Sequence, residues 1–411
     1  MGKDAVIQFR NCHILRDHSI TKEDIWTRGG KIINPEPLFF DEKRNADIQI
    51  DCHNALIAPG FIDLQINGGF GVDFSNQEND IQDGVRKVAH GILADGVTSF
   101  CPTIVTSPPS VYHEVIPKIR KQAGSSEGAE VLGVHVEGPF ISPSKKGAHD
   151  TRYMRDFSQG FEVLTEVYGI LDNLRIVTLA PELPGALEII PQLTEKGITV
   201  SLGHSIGNLS EGEKAAQRGA MFITHLFNAM LPFHHRDPGL VGLLSSDAIP
   251  EGKTMYYGII ADGIHTHPAA LRIAHRTHPK GLVLVTDAMS ALGLKPGRYN
   301  LGSQEVDVTE DSAYVAGTNT LCGSIARMDK CVREFKSATG CSIVEALEAA
   351  TLHPALTVGL EKKKGTLDFG ADADFVFLGP DLEVWSTWIA SEQVYQNHDS
   401  IAPIISHVDK L

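Results

Sequence analysis

Four residues of this chain, Glu137, His204, His225 and Asp287, each close a short apolar run: VLGVHVE, ITVSLGH, AMFITH and GLVLVTD. A polar side chain ending a run of buried character is costly to keep unless it is paired or binds an ion. One carboxylate and two imidazoles, with a further position for water, is the ligand count of a catalytic zinc site. Asp287 fits a general base beside such a site, since a bound cation acidifies water and a nearby carboxylate can take the proton. Taken singly, each residue has an ordinary explanation. One histidine among 18 is more often structural than a ligand, and an aspartate often caps a helix. Their joint placement at the ends of buried runs favours the metal reading.

Cations gather in two loops of this acidic chain. One carries His234, His235 and Arg236, the other His265 and His267. An arginine fork suits phosphate oxygens, so Arg236 with one of these histidines is a candidate phosphate site. His149, in KGAH, lies in the segment after Glu137 and is a candidate to polarise a carbonyl.

These residues need a scaffold that brings strand ends together. Apolar, β-branched runs at 60–67, 97–103, 131–137, 175–180, 198–204, 220–225, 256–261 and 281–287 alternate with helix-like stretches at 81–94, 110–122, 185–196 and 209–218. Continuous apolar strands are buried on both faces, which implies a parallel sheet. The expected fold is α/β, a (β/α)8 TIM-type barrel, whose active site lies at the C-terminal strand ends. A doubly wound sheet would want a glycine-rich phosphate turn after its first strand, and NGGFG at 67–71 lacks that spacing. Short strand-like runs at 6–9, 31–33 and 47–50, and again at 366–369, 374–378 and 384–389, predict a small β-sandwich domain formed from both chain ends. The expected division is 1–58 plus 355–411 for the small domain and 59–354 for the barrel.

Composition bounds the partners. With 36 Lys and Arg against 51 Asp and Glu, the net charge is −15, and a field of that sign repels nucleic acids and anionic membranes. No apolar run approaches the roughly 20 residues of a membrane span, and the N-terminus lacks a signal-peptide pattern. Six cysteines without a CxxC pair read as reduced thiols, so a cytoplasmic location is expected.

Several segments carry a family resemblance: APGFID (58–63), HVEGPF (135–140), KGAH (146–149), LGHS (202–205), THLFNAM (224–230), ADGIH (261–265), VTDA (285–288), and the closing GTL and GADAD at 365–367 and 370–374. With them the chain resembles the N-acetylglucosamine-6-phosphate deacetylases of the amidohydrolase superfamily, up to about residue 394. The resemblance implies hydrolysis of the acetamide of N-acetyl-D-glucosamine 6-phosphate. It makes Glu137, His204 and His225 ligands of one divalent ion per subunit, with zinc expected, and Asp287 the general base and acid. It puts His149 on the amide carbonyl, with Ala148 beside it. Asn228, Ala229, Arg236 and His265 would contact the sugar phosphate, and Leu321, Cys322 and Gly323 the sugar. A homodimer sharing phosphate ligands across its interface is also implied. One departure stands out. Many amidohydrolases hold a second metal with His-x-His on the first strand, where this chain has Gln65-Ile66-Asn67, and amides are poor transition-metal ligands.

Overall fold

The computed structural model describes residues 4–76, 80–301, 304–318, 321 and 323–407. Its centre is a ring of eight parallel strands in chain order: β1 (Phe61–Ile66), β2 (Val97–Val105), β3 (Val134–Glu137), β4 (Leu174–Leu179), β5 (Thr199–Leu202), β6 (Phe222–Ile223), β7 (Tyr256–Ile259) and β8 (Leu282–Leu284). All eight expected strands are present. Every residue of β1, β3, β6 and β8 is buried, which is why these runs are continuously apolar rather than alternating. The ring closes just past β8. There the Asp287 N–H donates to the Gln65 carbonyl at 2.8 Å and the Asn67 N–H to the Ala288 carbonyl at 2.7 Å.

Helices Ile81–Gly91, Ala186–Glu195 and Leu209–Gln217 fall where the sequence predicted them. The last starts at a capping box in which Asn208 and Glu211 satisfy each other's backbone N–H groups. The helix expected over 110–122 is shorter, Pro109–Val115. Ile116 is still helical, but Pro117 has no N–H to donate to the turn before it, so the ladder stops there. A three-stranded antiparallel flap, Gly297–Leu301, Gln304–Val308 and Ala313–Val315, follows β8 and was not anticipated.

The two chain ends form one sandwich. One sheet orders Ile404–His407, Ile48–Asp51, Val6–Arg10, Ile25–Arg28 and Lys31–Ile32; the other orders Glu392–Gln396, Val384–Ile389, Phe375–Leu378, Leu56–Pro59, His13–Arg16 and Ser19–Lys22. Phe9 sits between them, edge-on to Phe375 at 5.0 Å and Trp388 at 5.2 Å. Residues 366–369, read as a strand from sequence, are instead a loop. Its carbonyl at Leu367 accepts from the Arg16 guanidinium, and Gly370 N–H then donates to Ile32, so no ladder partner is left for a strand. Lys364 ties the sandwich to the barrel. It is 7% exposed and lies 2.7 Å from Glu130, 3.0 Å from Asp372 and 2.5 Å from Asp374. Among the described residues no helix is long and apolar enough to cross a membrane.

Candidate active site

The C-terminal ends of β3, β5, β6 and β8 bring Glu137, His204, His225 and Asp287 to one mouth. Glu137 Oε1 is 3.1 Å from His204 Nε2 and 2.9 Å from His225 Nε2, and the two imidazole nitrogens are 3.1 Å apart. All three side chains are buried. Left-handed backbone turns them inward: φ is +47° at His204, +26° at His225 and +48° at Asp287. Few non-glycine residues adopt such angles, and when held there they often mark functional sites.

The donor set fits a divalent cation. His204 Nδ1 faces the Lys145 carbonyl at 2.8 Å. A carbonyl only accepts, so Nδ1 carries the proton and Nε2 presents its lone pair to Glu137 and His225. Lone pairs so close repel unless positive charge lies among them. Bonds of about 2.0–2.1 Å in a tetrahedral zinc shell separate ligand atoms by roughly 3.3 Å, near the spacing seen. Burial lowers the pKa of His225, but the hydrogen bond and charge of Glu137 outweigh it and raise it to about 9. Burial raises Glu137, yet the two imidazoles gathered against it hold it well below the usual carboxylate range. Both shifts express the cluster's demand for positive charge.

Asp287 takes its contacts from the first strand. Gln65 Nε2 donates to Glu137 Oε1 at 3.0 Å and to Asp287 Oδ1 at 3.1 Å, and Asn67 Nδ2 donates to the same Oδ1 at 2.7 Å. The amide pair thus occupies the ground that His-x-His holds elsewhere. Burial and the charge of Glu137 push Asp287 up to about 6, a value suited to moving protons near neutral pH. No helix follows Asp287, so it does not serve as an N-cap. Beneath it Asp63 accepts from the Thr286 hydroxyl at 2.5 Å, and burial pushes Asp63 up to about 7.

His149 is buried beside this cluster, its ring centroid 4.5 Å from that of His204. Burial lowers its pKa to about 3. Thr106, which the sequence did not single out, contacts its Nδ1 through both hydroxyl and backbone N–H. Neither Thr106 nor the Lys145 carbonyl carries a periodic signal, since Thr106 lies in a loop and Lys145 ends the single 3-10 turn Pro143–Lys145. Ala148 is exposed at the rim.

The cationic loops differ in order. His265 is locked to Asp262, Nδ1 to Oδ2 at 2.6 Å; burial lowers its pKa, but that hydrogen bond outweighs it and the net shift is upward. His267 instead caps the helix Pro268–Thr277, accepting from Ala269 N–H. Arg236 is exposed, and its guanidinium has no partner among the described residues. Asn228 is half-buried and Ala229, at φ +51°, accepts from Ser205 N–H. Leu321 and Gly323 lie exposed after the flap, and Cys322 falls outside the described residues.

The pattern of the amidohydrolase family matches residues 56–398, the whole barrel and all but the last of the strands after it. The chain belongs to the amidohydrolase family. Among its relatives in that family, the N-acetylglucosamine-6-phosphate deacetylase of Bos taurus is 63% identical over 396 residues, covering 96% of this chain and 97% of the relative. That of Danio rerio is 61% identical over 392 residues, covering 95% and 97%. An amidohydrolase structure from Mycobacterium smegmatis, an aspartate-to-alanine variant of N-acetyl-D-glucosamine-6-phosphate deacetylase in complex with N-acetyl-D-glucosamine-6-phosphate, matches with TM-score 0.79 at 30% identity, covering 96% of this chain and 100% of that one. The resemblance read from HVEGPF, THLFNAM and VTDA is borne out.

Proposed function

We propose that the chain is a metal-dependent hydrolase that removes the acetyl group of N-acetyl-D-glucosamine 6-phosphate, giving D-glucosamine 6-phosphate and acetate in amino-sugar catabolism. The observation that carries this reading is the convergence of Glu137, His204 and His225 beside Asp287 at the barrel mouth, in a chain 63% identical to a deacetylase. The barrel of residues 59–354 is the catalytic unit in this reading, with 1–58 and 355–411 as its small domain.

Glu137, His204 and His225 would hold one divalent ion, with zinc the expected one for this ligand set. When bound, the ion supplies Lewis acidity at the amide carbonyl and an acidified water. Asp287 takes the proton as water attacks the carbonyl carbon and returns it to the departing amine, which leaves poorly without one. His149 donates from Nε2 to the carbonyl oxygen as negative charge develops there. Gln65 and Asn67, weak ligands themselves, hold Asp287 in place and leave the site with a single ion.

Arg236, His265, Asn228 and the Ala229 backbone would bind the phosphate, while Ala148, Leu321, Cys322 and Gly323 flank the sugar. Asp262 favours a protonated His265, which suits a dianion. Exposed apolar side chains stand in the segments after β5, β6 and β7, namely Ile206, Phe233 and Ile264, the latter two near Arg236 and His265 in sequence. Those side chains support a homodimer in which Arg236 or His265 reaches the partner's substrate. Five described cysteines are free thiols, in keeping with the cytoplasm as the proposed compartment.

The test is acetate release from the phosphorylated sugar, measured together with metal content. Release should rise in proportion to metal up to one equivalent per chain. Metal-replete protein that releases no acetate would overturn the reading.

A further inference from the structure

We propose that Thr106 is a positioning residue that fixes the proton of His149 on Nε2, so that this ring donates to the acetamide oxygen while the neighbouring His204 remains a ligand. The inference rests on the deacetylase reading above and names how one of its residues is set.

Thr106 directly follows β2 and is buried. Its backbone N–H donates to His149 Nδ1 at 3.2 Å, and its hydroxyl lies 2.8 Å from the same nitrogen. A backbone N–H can only donate, so Nδ1 must offer a lone pair, and in a neutral imidazole the proton then sits on Nε2. His204 meets the opposite backbone group, the Lys145 carbonyl, and carries its proton on Nδ1. Two imidazoles 4.5 Å apart are thus held in opposite tautomers by one N–H and one C=O. His149 Nε2 is 3.8 Å from Glu137 Oε2, beyond hydrogen-bond reach, and its proton is available to a substrate. With the tautomers exchanged, His149 would present a lone pair and have nothing to give a developing oxyanion.

Gly138 makes room for this arrangement. A Cβ on Gly138 would stand 2.2 Å from the Thr106 hydroxyl oxygen. The glycine that follows Glu137 therefore leaves space for the hydroxyl that holds His149, which joins HVEGPF to KGAH through a residue in neither motif.

The test uses zinc-loaded protein with 15N-labelled histidine, the wild type compared with Thr106→Val and Thr106→Ser. Long-range proton–nitrogen spectra of the resting wild type should show His149 protonated on Nε2 and His204 on Nδ1. Thr106→Val keeps the backbone N–H that donates to Nδ1 and loses only the hydroxyl contact, so it should keep its metal and its KM within about twofold while the less firmly held ring lowers kcat about tenfold, or ~1.4 kcal/mol. Thr106→Ser, which keeps the hydroxyl, should recover most of that loss. Protonation of His149 on Nδ1, an unchanged kcat in Thr106→Val, a parallel loss of metal, or a serine variant no better than valine would each overturn the proposal. Wild-type protein that released no acetate would defeat the deacetylase reading alone, because the tautomers are measured without substrate.

Discussion

Replacing Asn67 with alanine should move the acid limb of the pH–rate profile and leave its plateau in place. Asn67 Nδ2 donates to Asp287 Oδ1 at 2.7 Å, and the Asn67 Oδ1 has no partner. The side chain therefore acts on the site through that single donor. A hydrogen bond to a charged group is worth about 1.5–3 kcal/mol. It favours the carboxylate over the acid, so its loss raises the pKa of Asp287. At about 1.36 kcal/mol per unit, the rise is roughly 1–2 units. In the proposed mechanism catalysis needs the carboxylate, so activity should fall as pH drops through this pKa. Burial and Glu137 bring Asp287 to about 6, and a bound cation works in the opposite direction, which sets the wild-type limb of kcat/KM at or below that value. In Asn67→Ala the limb should appear at least about one unit higher, with unchanged metal content and a plateau near wild type. The assay is kcat/KM for the phosphorylated sugar from pH 4.5 to 8.5 at fixed ionic strength, roughly spanning both limbs. A limb that stayed in place, or a loss equal at every pH, would refute the reasoning.

His225→Ala removes one of three mutually close donors and should lose metal and activity together, which metal analysis after dialysis would read directly. Arg236→Ala should cost roughly 10–150-fold in kcat/KM on the phosphorylated sugar, from about 1.5–3 kcal/mol for a charged contact. Its effect on unphosphorylated N-acetylglucosamine should be small, and equal losses on both would assign Arg236 to folding. Lys364→Met leaves Glu130, Asp372 and Asp374 without their shared counter-charge. Breaking a buried pair costs about 3–5 kcal/mol, so thermal unfolding should show a clear drop in Tm while metal content at low temperature is retained.

The ends of β3, β5, β6 and β8 were legible because burial on both faces demands apolar runs, against which Glu137, His204, His225 and Asp287 stand out. The pairing of the two chain ends was legible for a related reason: neither half has apolar residues enough for a core, and Phe9 needs Phe375 and Trp388. What the sequence hid lies in loops and in backbone groups. Thr106 and the Lys145 carbonyl meet their histidines only through the fold, from 43 and 59 residues away. The loop at 366–369 has the composition of a strand, but Arg16 and Ile32 take its carbonyl and the neighbouring N–H. The flap after β8 alternates weakly, and its hairpin partners are too close in sequence to announce a separate layer.

The left-handed turns at His204, His225 and Asp287 also govern what mutation can make of this mouth. Apart from glycine, such backbone admits histidine, aspartate and asparagine most readily and resists β-branched side chains. Drift toward valine or isoleucine would cost about 1–3 kcal/mol in strain at each position, before any loss of chemistry. Exchange among the tolerated residues keeps the turn and alters only charge and ligand hardness. Three strand ends are thereby reserved for side chains that bind ions or move protons. On the proposed reading, a barrel built on these turns could change its ion or its acid–base partner by single substitutions while its architecture stays as it is.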